Sequence, residues 1–228
     1  MSFDLTVLNP AKPLTAAEAL AVHNSICDGE DVSKWLAVDD RTAAFVAALT
    51  KDYPQIDELP DDQIDNCPWS CGLDVGPSWA MMNIVWSRSH EIAKFVFALC
   101  RQHDLALFDH QTGLVCLPDR VVRTAGILLT CPWLYGQLPA SRELLADLVP
   151  FLVLKDDPYV ILIQSDEVYM QTLWTKDGFL LEFRDGCADQ HFRADRYLPM
   201  AEAIRTLSDY ALKGSEWRSM QSYSRVTV

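Results

Sequence analysis

Positive charge is scarce in this chain. Nineteen Lys and Arg residues stand against 32 Asp and Glu, a formal net charge of −13 over 228 residues. That balance repels polyphosphate, so direct binding of nucleic acid is not expected. Long apolar runs are missing as well. Stretches such as 125–129 and 151–154 fall far short of the roughly 20 residues that cross a bilayer, and no membrane association is expected. The opening MSFDLTVLNP carries no Lys or Arg ahead of its apolar residues, unlike a secretory signal, which leads to an expectation of a cytoplasmic protein. The seven cysteines are odd in number and scattered from Cys27 to Cys187, so they lack the dense even spacing of a disulfide framework and read as reduced thiols.

Familiar catalytic signatures are absent too. Nucleophile elbows, phosphate loops, dinucleotide fingerprints and H-E-x-x-H do not occur. Cys67-Pro-Trp-Ser-Cys71 has three residues between its thiols and no second pair to complete four zinc ligands, so neither a metal nor a cofactor is expected. His103, Asp109 and His110 bring imidazoles and a carboxylate near a helix-to-strand connection. A small cytosolic hydrolase or metal-dependent enzyme built on these three is the rival reading; helix capping by His103 and turn chemistry at Asp109 are the simpler account.

What the sequence does have is apolar content, 50% of its residues, enough to bury a core. Phe3–Leu8 alternates as a strand with one buried face. Thr15 and Glu18 form a capping-box pattern that opens a helix to about Cys27, and Asp39 or Asp40 can cap a second through Thr50. Residues 51–78 mix Pro, Gly and acids and read as a long ordered loop. A strand over 80–86, a helix capped by Ser87, and a hairpin over 105–117 follow. Ser141 begins another helix. Strands over 159–164, 168–174 and 179–184 form an antiparallel meander with positive φ at Gly178; 191–194 adds a strand, Pro199 starts a helix to Leu212, and Gly214 caps it. The pattern lacks regular βαβ spacing and points to an α+β fold of two small modules, each an antiparallel or mixed sheet with helices packed on it. The expected organisation is an N-terminal module over 1–120, a connecting helical segment over 121–155 that either half can claim, and a C-terminal sheet and helix module over 156–228.

The acids are unevenly placed. Residues 28–66 hold eleven acids against Lys34, Arg41 and Lys51, which accounts for eight of the thirteen net negative charges. Confining like charges raises self-repulsion that a basic partner would offset. Asp57, Glu58, Asp61, Asp62 and Asp65 lead directly to Trp69, joining charge to a large aromatic side chain as binding surfaces do. The other reading is a solvated loop with Trp69 turned inward. Trp79 and Trp86 read as core.

Three stretches carry a resemblance: MSFDLTVLNP, AMMNIVWSRSHEIAKFVFALCRQHDLALFDHQTGLVCLP, and VYMQTLWTKDGFLLEFRDGCADQHFRA followed by a helix and EWRSMQSYSRV. Together they resemble bacterial immunity proteins of polymorphic toxins and type VI secretion effectors, in layout those paired with nuclease toxins of the restriction-endonuclease fold. The resemblance implies an antitoxin that binds its cognate toxin stoichiometrically, with no turnover of its own. It carries no binding motif that maps onto this sequence. The interface residues above therefore rest on charge and aromaticity, and a second candidate surface lies on the C-terminal module at Trp174, Asp177, Arg184 and Asp185.

Overall fold

The computed structural model describes residues 2–226 and separates into two compact units, Met1–Val122 and Arg123–Val228. The fold is α+β, with an antiparallel sheet in each unit, of five and seven strands. Strands and a helix from the segment expected to be a connector lie in the second unit.

In the first unit β1 (Phe3–Leu8) pairs antiparallel with β3 (Trp79–Ile84) on one side and β4 (Ala106–Asp109) on the other. The edges are β2 (Asp74–Gly76), beside β3, and β5 (Leu114–Cys116), beside β4. Thr15 caps α1 (Ala16–Cys27) with the reciprocal Glu18 bonds that the sequence predicts. Leu8, Ala106, Phe108 and Val115 on one sheet face pack with Ala19, Val22 and Ile26 of α1. Neighbours in register on the opposite face, Leu5, Val7, Leu107 and Met82, are fully buried as well. They are covered by α2 (Asp40–Asp52), which Asp39 caps, and α3 (Ser89–Gln102). β1 is therefore buried on both faces rather than one, because it is the central strand of a three-layer unit. Ser87 does not cap α3. It lies in a 3-10 turn, Trp86–Arg88, and the helix begins after it at Ser89.

The second unit has the strand order β12-β11-β10-β9-β8-β6-β7. In chain order these are β6 (Leu128–Thr130), β7 (Leu138–Pro139), β8 (Tyr159–Ser165), β9 (Val168–Thr175), β10 (Gly178–Asp185), β11 (His191–Ala194) and β12 (Tyr223–Arg225). Val160, Leu162, Met170, Phe179, Leu181 and Phe183 are buried, and the residues between them are mostly half-exposed. The buried face is covered by α4 (Arg142–Leu152), capped by Ser141, α5 (Met200–Ala211) and the short α6 (Trp217–Met220). At the β9–β10 turn Gly178 has φ +127°, and a Cβ there would come within 3.0 Å of the Leu198 carbonyl, so glycine is required. The expected glycine cap of α5 is displaced by one residue: Lys213 takes the positive φ, and Gly214 lies directly against the Asp209 carboxylate.

Candidate functional site

The acidic segment begins where α2 ends at Asp52 and Pro54 stops further helix. Two 3-10 turns follow, Ile56–Glu58 and Asp61–Asn66, with Asp57, Glu58, Asp61 and Asp62 in their first turns, where free backbone N–H groups favour negative charge. Asp57, Glu58, Asp61, Asp62 and Asp65 are all exposed. None forms an ion pair among the described residues.

The segment is pinned from beneath. Trp69 is 1% exposed, and its indole N–H donates to the carbonyls of Tyr53 and Pro54 at 3.3 and 3.1 Å. Its ring meets Tyr53 edge-on, and Trp69 bridges to Ile84 at the end of β3. The amide of Ser70 donates to the Asn83 carbonyl at 2.8 Å and that of Val85 to the Pro68 carbonyl at 2.9 Å. Arg88 donates to the Asn66 carbonyl at 2.9 Å while its other terminal nitrogen pairs with Glu91 at 2.8 Å. The acids thus sit on a backbone fixed at both ends.

Burial of Trp69 corrects its expected role: it is a foundation of the segment and not an exposed anchor. Trp86, expected in the core, is instead 49% exposed and touches the Phe3 ring edge-on. Trp86 opens the same 3-10 turn whose Arg88 holds Asn66, so it borders the acidic turns, and Ile64 within them is 39% exposed. Sequence pattern missed this exchange because both tryptophans flank the end of β3, and only the turn after Ile84 decides which one faces the core.

The residues of the second candidate surface are split. Trp174 and Asp177 lie at the β9–β10 turn, whereas Arg184 and Asp185 lie at the other end of β10, roughly 25 Å away for an eight-residue strand. Trp174 packs on Phe179, Arg184 pairs with Glu167 at 2.9 Å and Asp185 with Arg218 at 2.7 Å. These four residues therefore do not make one contiguous patch.

The rival catalytic set is separated as well. His103 ends α3 with its ring edge-on to Phe45, and Asp109 accepts from the backbone N–H groups of Gln111 and Thr112 as a turn residue. His110 joins different partners. Thr6 Oγ1 lies 2.9 Å from His110 Nε2 and 3.0 Å from His23 Nδ1, and the two rings stand 4.2 Å apart. One neutral hydroxyl donates once, so the two neutral rings take opposite roles, one accepting from Thr6 and one donating to it. Burial first, then the neighbouring His23, lowers the His110 pKa to about 4; burial lowers that of His23 too. Cys27 Sγ approaches His23 Nε2 at 3.6 Å, and these groups border a cavity of about 410 Å³. Spacing could not have revealed this cluster, since His110 lies 104 positions from Thr6. Among the described residues no three His, Cys, Asp or Glu side chains are placed to hold a metal ion, and none of the seven cysteines forms a disulfide. Among the same residues no helix is long and apolar enough to cross a membrane. No family model, curated protein or solved structure matches the chain.

Proposed function

We propose that this protein is a cytoplasmic immunity protein that binds and neutralises a cognate secreted antibacterial toxin, a nuclease with a basic cleft, by stoichiometric protein–protein inhibition. The observation that carries the reading is the acidic segment itself: five exposed, unpaired carboxylates on two turns whose backbone is held from below. Fixed charge of one sign steers an oppositely charged partner and speeds encounter. Because the turns are already ordered, little conformational freedom is lost on binding. Trp86 and Ile64 supply apolar contact beside the charge, where a partner can exclude water and slow dissociation. A nuclease cleft must attract phosphate, so an acidic surface suits it electrostatically.

The test is a titration of the purified chain into the effector encoded beside it, with cleavage of a supercoiled plasmid as the readout. Cleavage ceasing at one inhibitor per toxin is the expected result. Undiminished cleavage in excess inhibitor, or a neighbouring gene that encodes no toxic domain, would overturn the proposal.

A further inference from the structure

A cavity of about 330 Å³ in the second unit lies where the start of β9 and the end of β10 meet the corner between α5 and α6. In a chain so short of cations, Arg184, Lys213 and Arg218 all line it, with Asp185 the one carboxylate among the lining residues. Arg218 is engaged by Asp185 and Arg184 by Glu167, whereas Lys213 has no ion pair among the described residues.

Two polar atoms in the lining side chains are left without a partner. Tyr210 is 6% exposed and its hydroxyl is buried with nothing to bond to, and Nε of Arg184 is in the same state. An orphaned buried donor is costly, so an acceptor arriving here is rewarded. Burial and then Asp185 push the Tyr210 pKa up to about 12, so it carries its proton near neutral pH. Lys213 is held at φ +55°, a left-handed conformation that only a few per cent of non-glycine residues adopt. The corner tightens further at Gly214, which lies against the Asp209 carboxylate and whose amide donates to the Asp209 carbonyl at 2.7 Å. The other wall is apolar: Val168, Phe183 and Trp217.

We propose that this cavity binds a small apolar monocarboxylate, with its carboxylate on Lys213, Arg218 and the Tyr210 hydroxyl and its hydrocarbon against Val168, Phe183 and Trp217. Among the described residues the buried Tyr210 hydroxyl and Arg184 Nε lack acceptors and Lys213 lacks an ion pair, which favours an anionic group that accepts hydrogen bonds. Lys213, the lining cation without an ion pair, suits a monoanion, and the apolar wall suits a ring-sized apolar body. The site belongs to the second unit and the acidic segment to the first, and the proposal does not depend on the immunity reading.

Benzoate, with calorimetric titration into the full chain, is the probe. Saturable binding of one equivalent is expected. Lys213→Gln should weaken it at least tenfold and Lys213→Arg should restore it. Tyr210→Phe should weaken it about fivefold while leaving the thermal midpoint unchanged or higher, because an unsatisfied hydroxyl is removed. Absence of saturation at 10-fold above millimolar benzoate, undiminished binding by Lys213→Gln, equal binding of neutral benzamide, or tighter binding of inorganic phosphate would each overturn the proposal.

Discussion

Trp69 donates its indole N–H to the Pro54 carbonyl at 3.1 Å, closing the acidic turns into a loop whose two ends are joined by one buried side chain. Fifteen positions separate the partners, so the bond holds nearly the whole charged stretch between them. Trp69 thus links the charge display to the core beneath it.

That link can be broken in two grades. Trp69→Ala should destabilise the first unit by about 3–5 kcal/mol, the usual cost of removing a buried aromatic side chain. Trp69→Phe keeps much of the packing and loses the indole bond, and it leaves two carbonyl partners of that bond to find water, for a smaller loss of about 1–2 kcal/mol. Denaturant unfolding followed by circular dichroism measures both.

Trp86 should behave in the opposite way. Nearly half of its surface is open, so Trp86→Ala should change stability by no more than about 0.5 kcal/mol beyond the loss of its contact with Phe3. In a complex with the cognate toxin the same variant should dissociate at least tenfold faster, as expected of an aromatic anchor. Surface plasmon resonance separates the two rates.

The imidazole pair gives the first unit an acid sensitivity. His110 has its pKa lowered to about 4 in the folded chain, against 6.5 when unfolded, so between these values the unfolded chain binds the extra proton. Stability is therefore complete above about pH 6.5 and declines as pH falls toward 4. The loss is of order 1 kcal/mol, since the ring is only half buried and solvent screens part of the cost. In His110→Gln this decline should be reduced in unfolding curves measured across pH 4–7; an unchanged slope would show that His110 does not set it.

How far the sequence discloses this molecule depends on the range of the interaction involved. The Thr15–Glu18 capping box, the Asp39 and Ser141 caps and the glycine at the β9–β10 turn are all local, and each stands where the sequence puts it. The meander is legible for the same reason: its sheet has one buried face, so alternation along β8 to β10 is clean. Elsewhere long-range contacts decide. The opening strand looks one-sided in sequence but is covered on both faces by helices that arrive later in the chain. Trp69 and Trp86 exchange their expected places because the bridge from Trp69 to Ile84 is set by the packing of the whole loop. The Thr6, His23 and His110 cluster is assembled from three separate elements and has no sequence spacing at all.

On the outer face of the second sheet, Glu182 is 8% exposed and accepts from Arg193 at 2.7 Å and Gln171 at 2.9 Å. Burial raises its pKa, but those two bonds outweigh it and the net direction is down. Its contribution to stability is thus present above the usual carboxylate range and lost as pH falls through the lowered value. Arg193→Met leaves burial without its main offset, so the Glu182 pKa should rise and stability at neutral pH should fall by about 1–3 kcal/mol. Unfolding curves at pH 7, with an NMR titration of the Glu182 carboxyl, measure the two effects.

The most direct measurement is the association rate of the chain with its cognate toxin at several salt concentrations, for the native protein and for the combined variant Asp57→Lys, Glu58→Lys, Asp61→Lys and Asp62→Lys. All four side chains are exposed, so the variant should fold normally. If the acidic turns steer the partner, the native rate falls steeply with added salt, and the variant associates at least tenfold more slowly at low salt with little salt dependence left. An association rate that is the same for both proteins at every salt concentration would contradict the account.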